Sequence, residues 1–121
     1  MAGRFAIGID IVEAARFEKH VKNLDSRFCM RVFTPYELEY LKSKKAASMA
    51  GLFAAKEAVA KAMGTGFRGF LPNEIEIRHN DLGAPYVLLY GKAEKKAKGA
   101  NIQVNISHTK TLAVAVAVMV L

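Results

Sequence analysis

The chain has 121 residues with a net charge of +7 and 52% hydrophobic residues, which fits one compact domain with a single core. Its one cysteine, Cys29, excludes an intrachain disulfide and fits a reducing, intracellular setting. The positive charge predicts an acidic or phosphorylated partner. An aromatic content of 9%, with no aromatics interleaved among the basic residues, counts against a surface that stacks single-stranded nucleic acid.

The N-terminal segment predicts a β-strand. Phe5, Ile7 and Ile9 alternate with smaller residues, which is the two-residue period of a strand with one large apolar face. Asp10 falls on the small-residue face, so we interpret it either as a helix N-cap or as a ligand that faces a cleft. No signal peptide is indicated, and the longest apolar run, 112–121, is shorter than the roughly 20 residues of a membrane span. We therefore expect a soluble cytoplasmic protein.

Basic residues concentrate in the segment that follows. The spacing of apolar residues predicts a helix over 13–23, and Asp25-Ser26 predicts the cap of a second short helix. The surface of this segment is either an ordinary solvated face or a docking surface for an acidic partner. Its basic residues are Arg16, Lys19, Lys22, Arg27 and Arg31.

A long Ala-rich helix is predicted in the middle of the chain. Before it, Thr34-Pro35-Tyr36-Glu37 predicts the start of a helix that runs to about Ser43. The Ala-rich helix is expected from about Ala46 to Met63, with little or no loop before it. Glu57 and Lys61 stand four residues apart and therefore share one face of this helix, which alone also fits an ordinary solvent-facing ion pair.

The helix is predicted to stop at Gly64-Thr65-Gly66. Gly64 suits a left-handed cap, and Gly66 could turn backbone N–H groups toward an anion.

Strands dominate the second half of the chain. Residues 74–78 and 86–90 flank a turn and predict a hairpin with Ile75 and Ile77 inward. A short basic helix is expected over 92–98, and a further strand leads into Ser107-His108-Thr109. The last strand, 112–121, has Ala on one face and Val on the other. The Ala face suits packing against the Ala-rich helix, and the apolar Val face implies a covered sheet or a subunit interface. The pattern predicts an α+β fold.

Two acidic residues suggest a metal site. Asp10 and Glu57 both lie among small, apolar residues, where an unpaired charge is costly. If the two carboxylates meet, a cation between them would relieve their repulsion, and oxygen ligands suit Mg²⁺. Lys61, one turn from Glu57, would then face a phosphate, and Gly64-Thr65-Gly66 would add backbone donors. These groups fit phosphoryl or phosphodiester chemistry.

His108 has two interpretations. The Ser107-His108-Thr109 segment is either a turn that hydrogen-bonds to itself or a set of groups presented to a phosphate. A Ser/His/Asp hydrolase is disfavoured, because there is no G-x-S-x-G motif and neighbouring residues of a strand point to opposite sides. There is also no P-loop, dinucleotide-binding fingerprint or CxxC motif.

The ordered motifs resemble those of holo-acyl-carrier-protein synthases, the short 4′-phosphopantetheinyl transferases. They are Gly8-Ile9-Asp10 followed by Arg16, then Phe53-Ala54-Ala55-Lys56-Glu57-Ala58 with Lys61-Ala62 and Gly64-Thr65-Gly66, and finally Ile106-Ser107-His108-Thr109. The resemblance covers nearly the whole chain. It implies one transferase domain over 1–121, with a small antiparallel sheet packed on the long Ala-rich helix.

The resemblance also implies a reaction. The family moves 4′-phosphopantetheine from coenzyme A to a serine of apo-acyl carrier protein, releases adenosine 3′,5′-bisphosphate, and supports fatty acid biosynthesis. By motif match, Asp10 and Glu57 would hold Mg²⁺ on the coenzyme A pyrophosphate, and Lys61 would either stabilise the phosphate charge or assist the leaving group. The coenzyme A site would be lined by Lys56, Lys61, Gly64, Thr65, Gly66, Ser107, His108 and Thr109. The acidic carrier protein would contact Arg16, Lys19, Arg27 and Arg31.

The family is typically a homotrimer with sites between subunits, and the resemblance implies neither nucleic-acid binding nor a membrane span. One departure is Leu52, where many members carry Arg; a basic contact or ion pair is either missing or supplied by Lys44, Lys45 or Lys56. Two other function classes stay open on the residues alone. A non-catalytic basic module for nucleic acid or a nucleotide would leave the placement of Asp10 and Glu57 unexplained. The third is a small oligomeric scaffold.

Overall fold

The computed structural model of the chain describes residues 4–64 and 66–121. The strands are β1 (Phe5–Glu13), β2 (Ile75–His79), β3 (Pro85–Leu89), β4 (Asn101–His108) and β5 (Leu112–Val120). The helices are α1 (Glu18–Val21), α2 (Arg27–Val32), α3 (Pro35–Leu41), α4 (Ala46–Ala62) and α5 (Gly91–Ala97), with 3₁₀ turns at Ala14–Phe17 and Pro72–Glu74.

The strands form two antiparallel sheets. One has three strands in the order β1-β5-β4, and the other is the β2-β3 hairpin. Ala115 at the centre of β5 pairs with Asp10 of β1 on one side and with Ile106 of β4 on the other. The predicted α+β fold, with small antiparallel sheets and one long helix, is confirmed.

Helix α4 packs across the three-stranded sheet. The alanines at 113, 115 and 117 are at most 1% exposed, which confirms that the Ala face of the last strand is buried against the helix. Early in the helix, Gly51 lies against Ile106 of β4. Later, Ala58 lies against Gly8 of β1, where an added Cβ would come within 1.9 Å of the Ala58 carbonyl oxygen. The absence of a side chain at Gly8 therefore lets β1 touch the helix backbone.

The predicted helix starts at Ser26 and Thr34 are confirmed. The Ser26 side chain accepts a hydrogen bond from the Cys29 N–H, and Thr34 forms a reciprocal capping box with Glu37. Each cap satisfies backbone donors that a helix start leaves without partners.

Two predicted boundaries are wrong. Glu13 belongs to β1, because it pairs with Leu112 in the continuous register of the sheet, and the predicted helix over 13–23 is reduced to a 3₁₀ turn and the single turn α1. Residues 42–45 also separate α3 from α4 by a turn, in which the Lys44 N–H donates to the Leu41 carbonyl.

The face of the three-stranded sheet away from α4 is open. Four large apolar side chains of β1 are 61–67% exposed on it: Phe5, Ile7, Ile9 and Ile11. The valines of β5 at 114, 116, 118 and 120 lie beside them and are half-buried. The large apolar face predicted for the first strand is thus an exposed surface of the single chain.

Helix α4, with 17 residues, is the longest helix in the described parts of the chain. Within 4–64 and 66–121, no helix combines the length and the apolar character that crossing a membrane would require.

Candidate active site on helix α4

The close approach of β1 to α4 brings Asp10 to Lys61. The Lys61 ammonium donates to the Asp10 carboxylate at 3.0 Å and to the Ile9 carbonyl oxygen at 2.9 Å. The Asp10 side chain is 17% exposed and that of Lys61 is 50% exposed. Asp10 therefore lies inside β1 and faces the helix, so its interpretation as a helix N-cap is wrong.

Glu57 lies one turn before Lys61 on the same face of α4, and it is half-buried. Burial raises the pKa of its carboxyl above the ordinary 4.5, and the negative charge of Asp10 raises this pKa further. The positive charges of Lys61 and Arg16 act in the opposite direction. The structure thus brings Asp10, Glu57 and Lys61 together, as the sequence predicted.

This cluster fits a Mg²⁺ ion in its chemistry. Two carboxylates that repel one another offer oxygen ligands to a hard cation, and Mg²⁺ commonly uses one or two protein carboxylates with water and substrate phosphate oxygens. Within the described residues, no set of three or more His, Cys, Asp or Glu side chains is grouped for metal binding.

The end of α4 is capped by glycines. Gly64 has φ +88° and its N–H donates to Lys61, while the N–H of Gly66 donates to Ala60. The predicted left-handed cap is present. These two N–H groups bond helix carbonyls and would have to give up those bonds to serve an anion, and the anion nest stays a prediction. Thr65, predicted with them to line the coenzyme A site, lies outside the described residues.

His108 lies at the opposite end of α4. It borders a groove of about 930 Å³ that runs past the start of the helix and contains the basic side chains of Lys22, Lys44, Lys45 and Lys110. A smaller cavity of about 230 Å³ adjoins it and is lined by Tyr40, Gly51, His79, Pro85 and again His108.

The three residues of the predicted Ser107-His108-Thr109 segment differ in their positions and contacts. His108 is on the side of β4 that faces α4, whereas Ser107 pairs with Val114 and lies on the opposite, exposed face. The Thr109 hydroxyl accepts hydrogen bonds from the N–H groups of Thr111 and Leu112, and so organises the turn before β5. The turn that hydrogen-bonds to itself is thus present at Thr109, while presentation of His108 and Thr109 to a phosphate stays a prediction, for which their place along the groove leaves room.

The predicted coenzyme A residues do not converge within one chain. Helix α4 has 17 residues, so its ends are about 25 Å apart at roughly 1.5 Å per residue. His108 and Thr109 are at its start, and Gly64 and Gly66 are at its end. The expectation that these groups line one pocket with each other is therefore not met in the single subunit.

Lys56 is placed differently from the prediction. Its side chain is fully buried and forms an ion pair with Glu37 at 2.7 Å. In this position it contacts the core and cannot also line a surface site for coenzyme A. Leu52, where an Arg was expected, is 2% exposed and packs in the core beside the small cavity. Lys56 thus supplies a structural ion pair, and Lys44 and Lys45 remain as basic groups at the groove.

The predicted docking residues are all exposed, and Arg16 makes further contacts near the candidate site. Its guanidinium lies over the rings of Phe17 and Phe53, 5.5 and 5.3 Å from their centres. It is also near enough to Glu57 to lower its pKa. Arg16 therefore joins the basic surface of α1 and α2 to the carboxylate cluster. Arg27 and Arg31 line a separate shallow cavity beside Leu71.

Two functional contributions were missed from the sequence. Gly8 is needed for the close approach of β1; its signals were its place on the small-residue face and in the Gly8-Ile9-Asp10 motif, and neither indicated contact with the helix backbone. Glu37 was assigned only as a capping residue, although it also receives the buried ammonium of Lys56.

Comparison with known proteins gives a consistent result. Residues 6–117 match the family model of the 4′-phosphopantetheinyl transferase superfamily. A holo-[acyl-carrier-protein] synthase of Caldicellulosiruptor bescii is 50% identical over 94% of this chain and 96% of its own length.

Two solved structures are also similar. The holo-(acyl-carrier-protein) synthase of Bacillus anthracis in complex with CoA (3′,5′-ADP) has a TM-score of 0.81 at 35% identity, covering 98% of both chains. That of Helicobacter pylori in complex with coenzyme A has a TM-score of 0.82 at 36% identity, covering 93% of this chain and 98% of that one.

Proposed function

The chain belongs to the 4′-phosphopantetheinyl transferase superfamily of enzymes, and from that premise we propose that it is a holo-[acyl-carrier-protein] synthase. In this reaction, a serine hydroxyl of apo-acyl carrier protein attacks the coenzyme A phosphorus that carries the pantetheine arm. A new O–P bond forms as the pyrophosphate bond breaks, the serine loses its proton, and adenosine 3′,5′-bisphosphate leaves. The observation that carries the proposal is the cluster of Asp10, Glu57 and Lys61 on α4.

Each member of the cluster has a proposed task. Asp10 and Glu57 would hold Mg²⁺, which when bound would draw charge from the pyrophosphate oxygens. The Lys61 ammonium would stabilise negative charge that develops on the leaving phosphate. The serine proton would pass either to Glu57 or to a water held at the cluster.

We propose that the nucleotide end of coenzyme A binds the basic groove at the start of α4. Its phosphates carry negative charge, and Lys44, Lys45, Lys110 and His108 border the groove. The first N–H groups of the 17-residue helix also point to this end, where the N-cap residue Lys45 makes no side-chain hydrogen bond to them. Other subunits would have to complete the site for it to be lined also by Gly64 to Gly66 and Ser107.

We propose a homotrimer in which one subunit supplies Glu57 and its neighbour supplies His108. Two observations support it. The groove and the carboxylate cluster lie along different parts of α4, and β1 leaves four large apolar side chains exposed on the far side of the sheet. A contiguous apolar face of this kind commonly marks a protein interface.

The acidic carrier protein is the proposed macromolecular partner. Arg16, Lys19, Arg27 and Arg31 give the cluster's surroundings a positive charge, in keeping with the net charge of +7. Arg16 is the residue nearest to the proposed chemistry, because it acts on Glu57. We place the reaction in the cytoplasm, in support of fatty acid biosynthesis.

The direct test is to incubate the protein with coenzyme A, Mg²⁺ and an apo-acyl carrier protein, and to weigh the carrier by mass spectrometry. We expect addition of phosphopantetheine, and a loss of rate above about 100-fold in Asp10→Asn and Glu57→Gln, since even indirect metal partners contribute about 10–100-fold. Glu94→Gln, an exposed carboxylate on α5, is the matched control. No adduct, with a known transferase active in parallel, would refute the proposal.

Mixed subunits test the shared site. Glu57→Gln and His108→Glu subunits should each be inactive alone. When they are unfolded and refolded together, about a quarter of the interfaces in a random cyclic trimer should pair two intact halves and recover activity. A mixture as inactive as its components would place both halves of the site in one chain.

A further inference from the structure

Lys56, the residue next to Glu57, is joined to three other parts of the fold. Its ammonium contacts the Glu37 carboxylate of α3 at 2.7 Å and the Pro72 carbonyl oxygen at 3.2 Å, and it also donates to the Ile75 carbonyl oxygen of β2. A lysine ammonium has three donors, so all of them are used.

Glu37 is satisfied in the same way. One carboxylate oxygen accepts the Thr34 N–H at 2.9 Å as well as the ammonium, and the other accepts the Ile77 N–H at 2.7 Å. Both side chains are 0% exposed. In the described parts of the chain, no buried side-chain nitrogen or oxygen lacks a hydrogen-bond partner.

Stability alone does not account for this pair. Taking two charges out of water is costly, and apolar residues of similar volume often replace a buried ion pair with no loss or with a gain of stability. An apolar pair would lack directional hydrogen bonds. The ammonium and the carboxylate hold four backbone groups at fixed distances, at the residues Thr34, Pro72, Ile75 and Ile77.

Helix α4 needs directional contacts because its buried faces are mostly alanine. Its fully buried positions include Ala54, Ala55, Ala58 and Ala60. Such short side chains make few interlocking contacts of their own, so directional bonds from Lys56 add a constraint on the rotation of the helix. A small rotation would turn Glu57 and Lys61 away from Asp10.

The same ammonium also fixes the segment that follows the helix. The Gly66 N–H donates to the Ala60 carbonyl, and six residues later the Pro72 carbonyl accepts from Lys56. The segment 66–72 is thus attached at both ends to points one turn apart on α4. It borders the cavity of Arg27 and Arg31 through Leu71.

We propose that the Lys56–Glu37 pair is a positioning device for the transfer reaction. It sets the rotation of α4 that aims Glu57 and Lys61 at Asp10, and it sets the course of 66–72 beside the carrier surface. The inference rests on the proposed function, and Lys56 acts through Glu57 and Lys61 without touching the reacting atoms.

The test compares a broken pair with an apolar pair. Lys56→Met leaves Glu37 buried without its cation, so the melting temperature and the transfer rate should both fall. In Lys56→Met/Glu37→Leu no buried charge is left without a partner, so the melting temperature should rise well above that of Lys56→Met, although four backbone groups lose their hydrogen bonds. The kcat should stay at least about 10-fold below wild type, as expected for loss of an indirect metal partner. KM for the carrier should rise, because the segment 66–72 loses its attachment to Lys56 at Pro72. Magnesium-dependent binding of coenzyme A, measured by calorimetry, should weaken in parallel with kcat.

Glu76→Gln is the matched control. Glu76 is a buried carboxylate of β2 that pairs with Arg78 at 2.7 Å on its own strand; its charge acts on Lys56, but the three donors of Lys56 go to other acceptors. It should lose stability and keep its kcat. All rates are taken at a temperature where circular dichroism shows each variant folded, so a low melting temperature does not obscure the result.

Three outcomes separate the hypotheses. If the apolar pair regains both melting temperature and kcat, the ion pair is only structural and the positioning role is overturned. The same holds if Glu76→Gln lowers kcat as much as the apolar pair does. If the wild-type protein itself transfers nothing, the proposed function fails, whatever the variants do.

Discussion

Lys56 and Glu57 are neighbours in sequence and have opposite environments. Lys56 points to the hairpin side of α4, where it is fully buried and every donor has an acceptor. Glu57 points to β1, where it is half-buried beside Asp10, a group of the same charge. On the Lys56 side of α4, the buried charge is thus paired within the protein. On the Glu57 side, two negative charges lie near one another. Uncompensated charge of this kind is typical of binding and catalytic sites.

The two ion pairs of α4 also differ in their exposure to solvent. Lys56 and Glu37 are both 0% exposed, whereas Lys61 is half-exposed in its pair with Asp10. A half-exposed pair is screened by water and contributes about 1 kcal/mol or less to stability. Breaking a buried pair costs about 3–5 kcal/mol, because the remaining charge has no partner. One pair therefore matters for folding and orientation, and the other is available for chemistry.

Of the proposed variants, Gly8→Ala should most strongly disrupt the contact between β1 and the side of α4 that carries Glu57. The new Cβ would come within 1.9 Å of the Ala58 carbonyl oxygen, a backbone atom that cannot move alone. Overpacking of this degree should destabilise the protein by about 3 kcal/mol, measured by chemical denaturation, and should abolish transfer.

Gly51→Ala on the same helix is the control for that variant. Its Cβ would lie 3.1 Å from a methyl group of Ile106, a side chain that can shift, and alanine favours helix more than glycine by about 1 kcal/mol. Equal stability of the Gly8 and Gly51 variants would contradict the close approach of β1.

Lys61→Met should separate activity from stability. Loss of a cation aimed at developing phosphate charge should lower kcat by about 100–1000-fold. The free energy of unfolding should change by no more than about 1 kcal/mol, because Lys61 is half-exposed. Lys92→Met, an exposed lysine of α5, should change neither quantity. A Lys61→Met enzyme with wild-type kcat would remove Lys61 from the proposed mechanism.

The sequence was sufficient for the local features of α4. Its length, its glycine stop and the shared face of Glu57 and Lys61 all follow from helical periodicity and capping. Asp10 was placed beside them because it alternates with small residues in the first strand. These predictions depend on residues close in sequence or on a simple period.

The environment of Lys56 could not be predicted in the same way. Periodicity separates Lys56 and Glu57 by about 100°, but it does not say which side of the helix meets the hairpin. Glu37 reaches Lys56 only through tertiary packing, and its role in the capping box gave no hint of a second partner. The separation of His108 from Gly64 likewise depends on how α4 crosses the sheet.

The smallest expected effect is on the titration of Glu57. Its pKa is raised above 4.5 by burial and by Asp10, so Asp10→Asn should lower it and Lys61→Met should raise it, as followed by carbon-detected NMR of the carboxyl group. Because the folded-state pKa is raised, the contribution of Glu57 to stability is complete below pH 4.5. It is lost as the pH rises through the folded value. Glu57→Gln should therefore be more stable than wild type at pH 7, and this gain should vanish below pH 4.5.

Glu74 supplies a control of opposite sign. Hydrogen bonds from the Leu71 and Lys92 N–H groups lower its pKa, so its stabilising contribution is present above pH 4.5 and is lost as the pH falls through the folded value. Glu74→Gln should then be less stable than wild type at pH 7, with the difference shrinking in acid. A loss of stability in Glu57→Gln at pH 7 would instead show that the charge of Glu57 is compensated within the protein, as that of Lys56 is. The electrostatic argument for a metal at Asp10 and Glu57 would then fail.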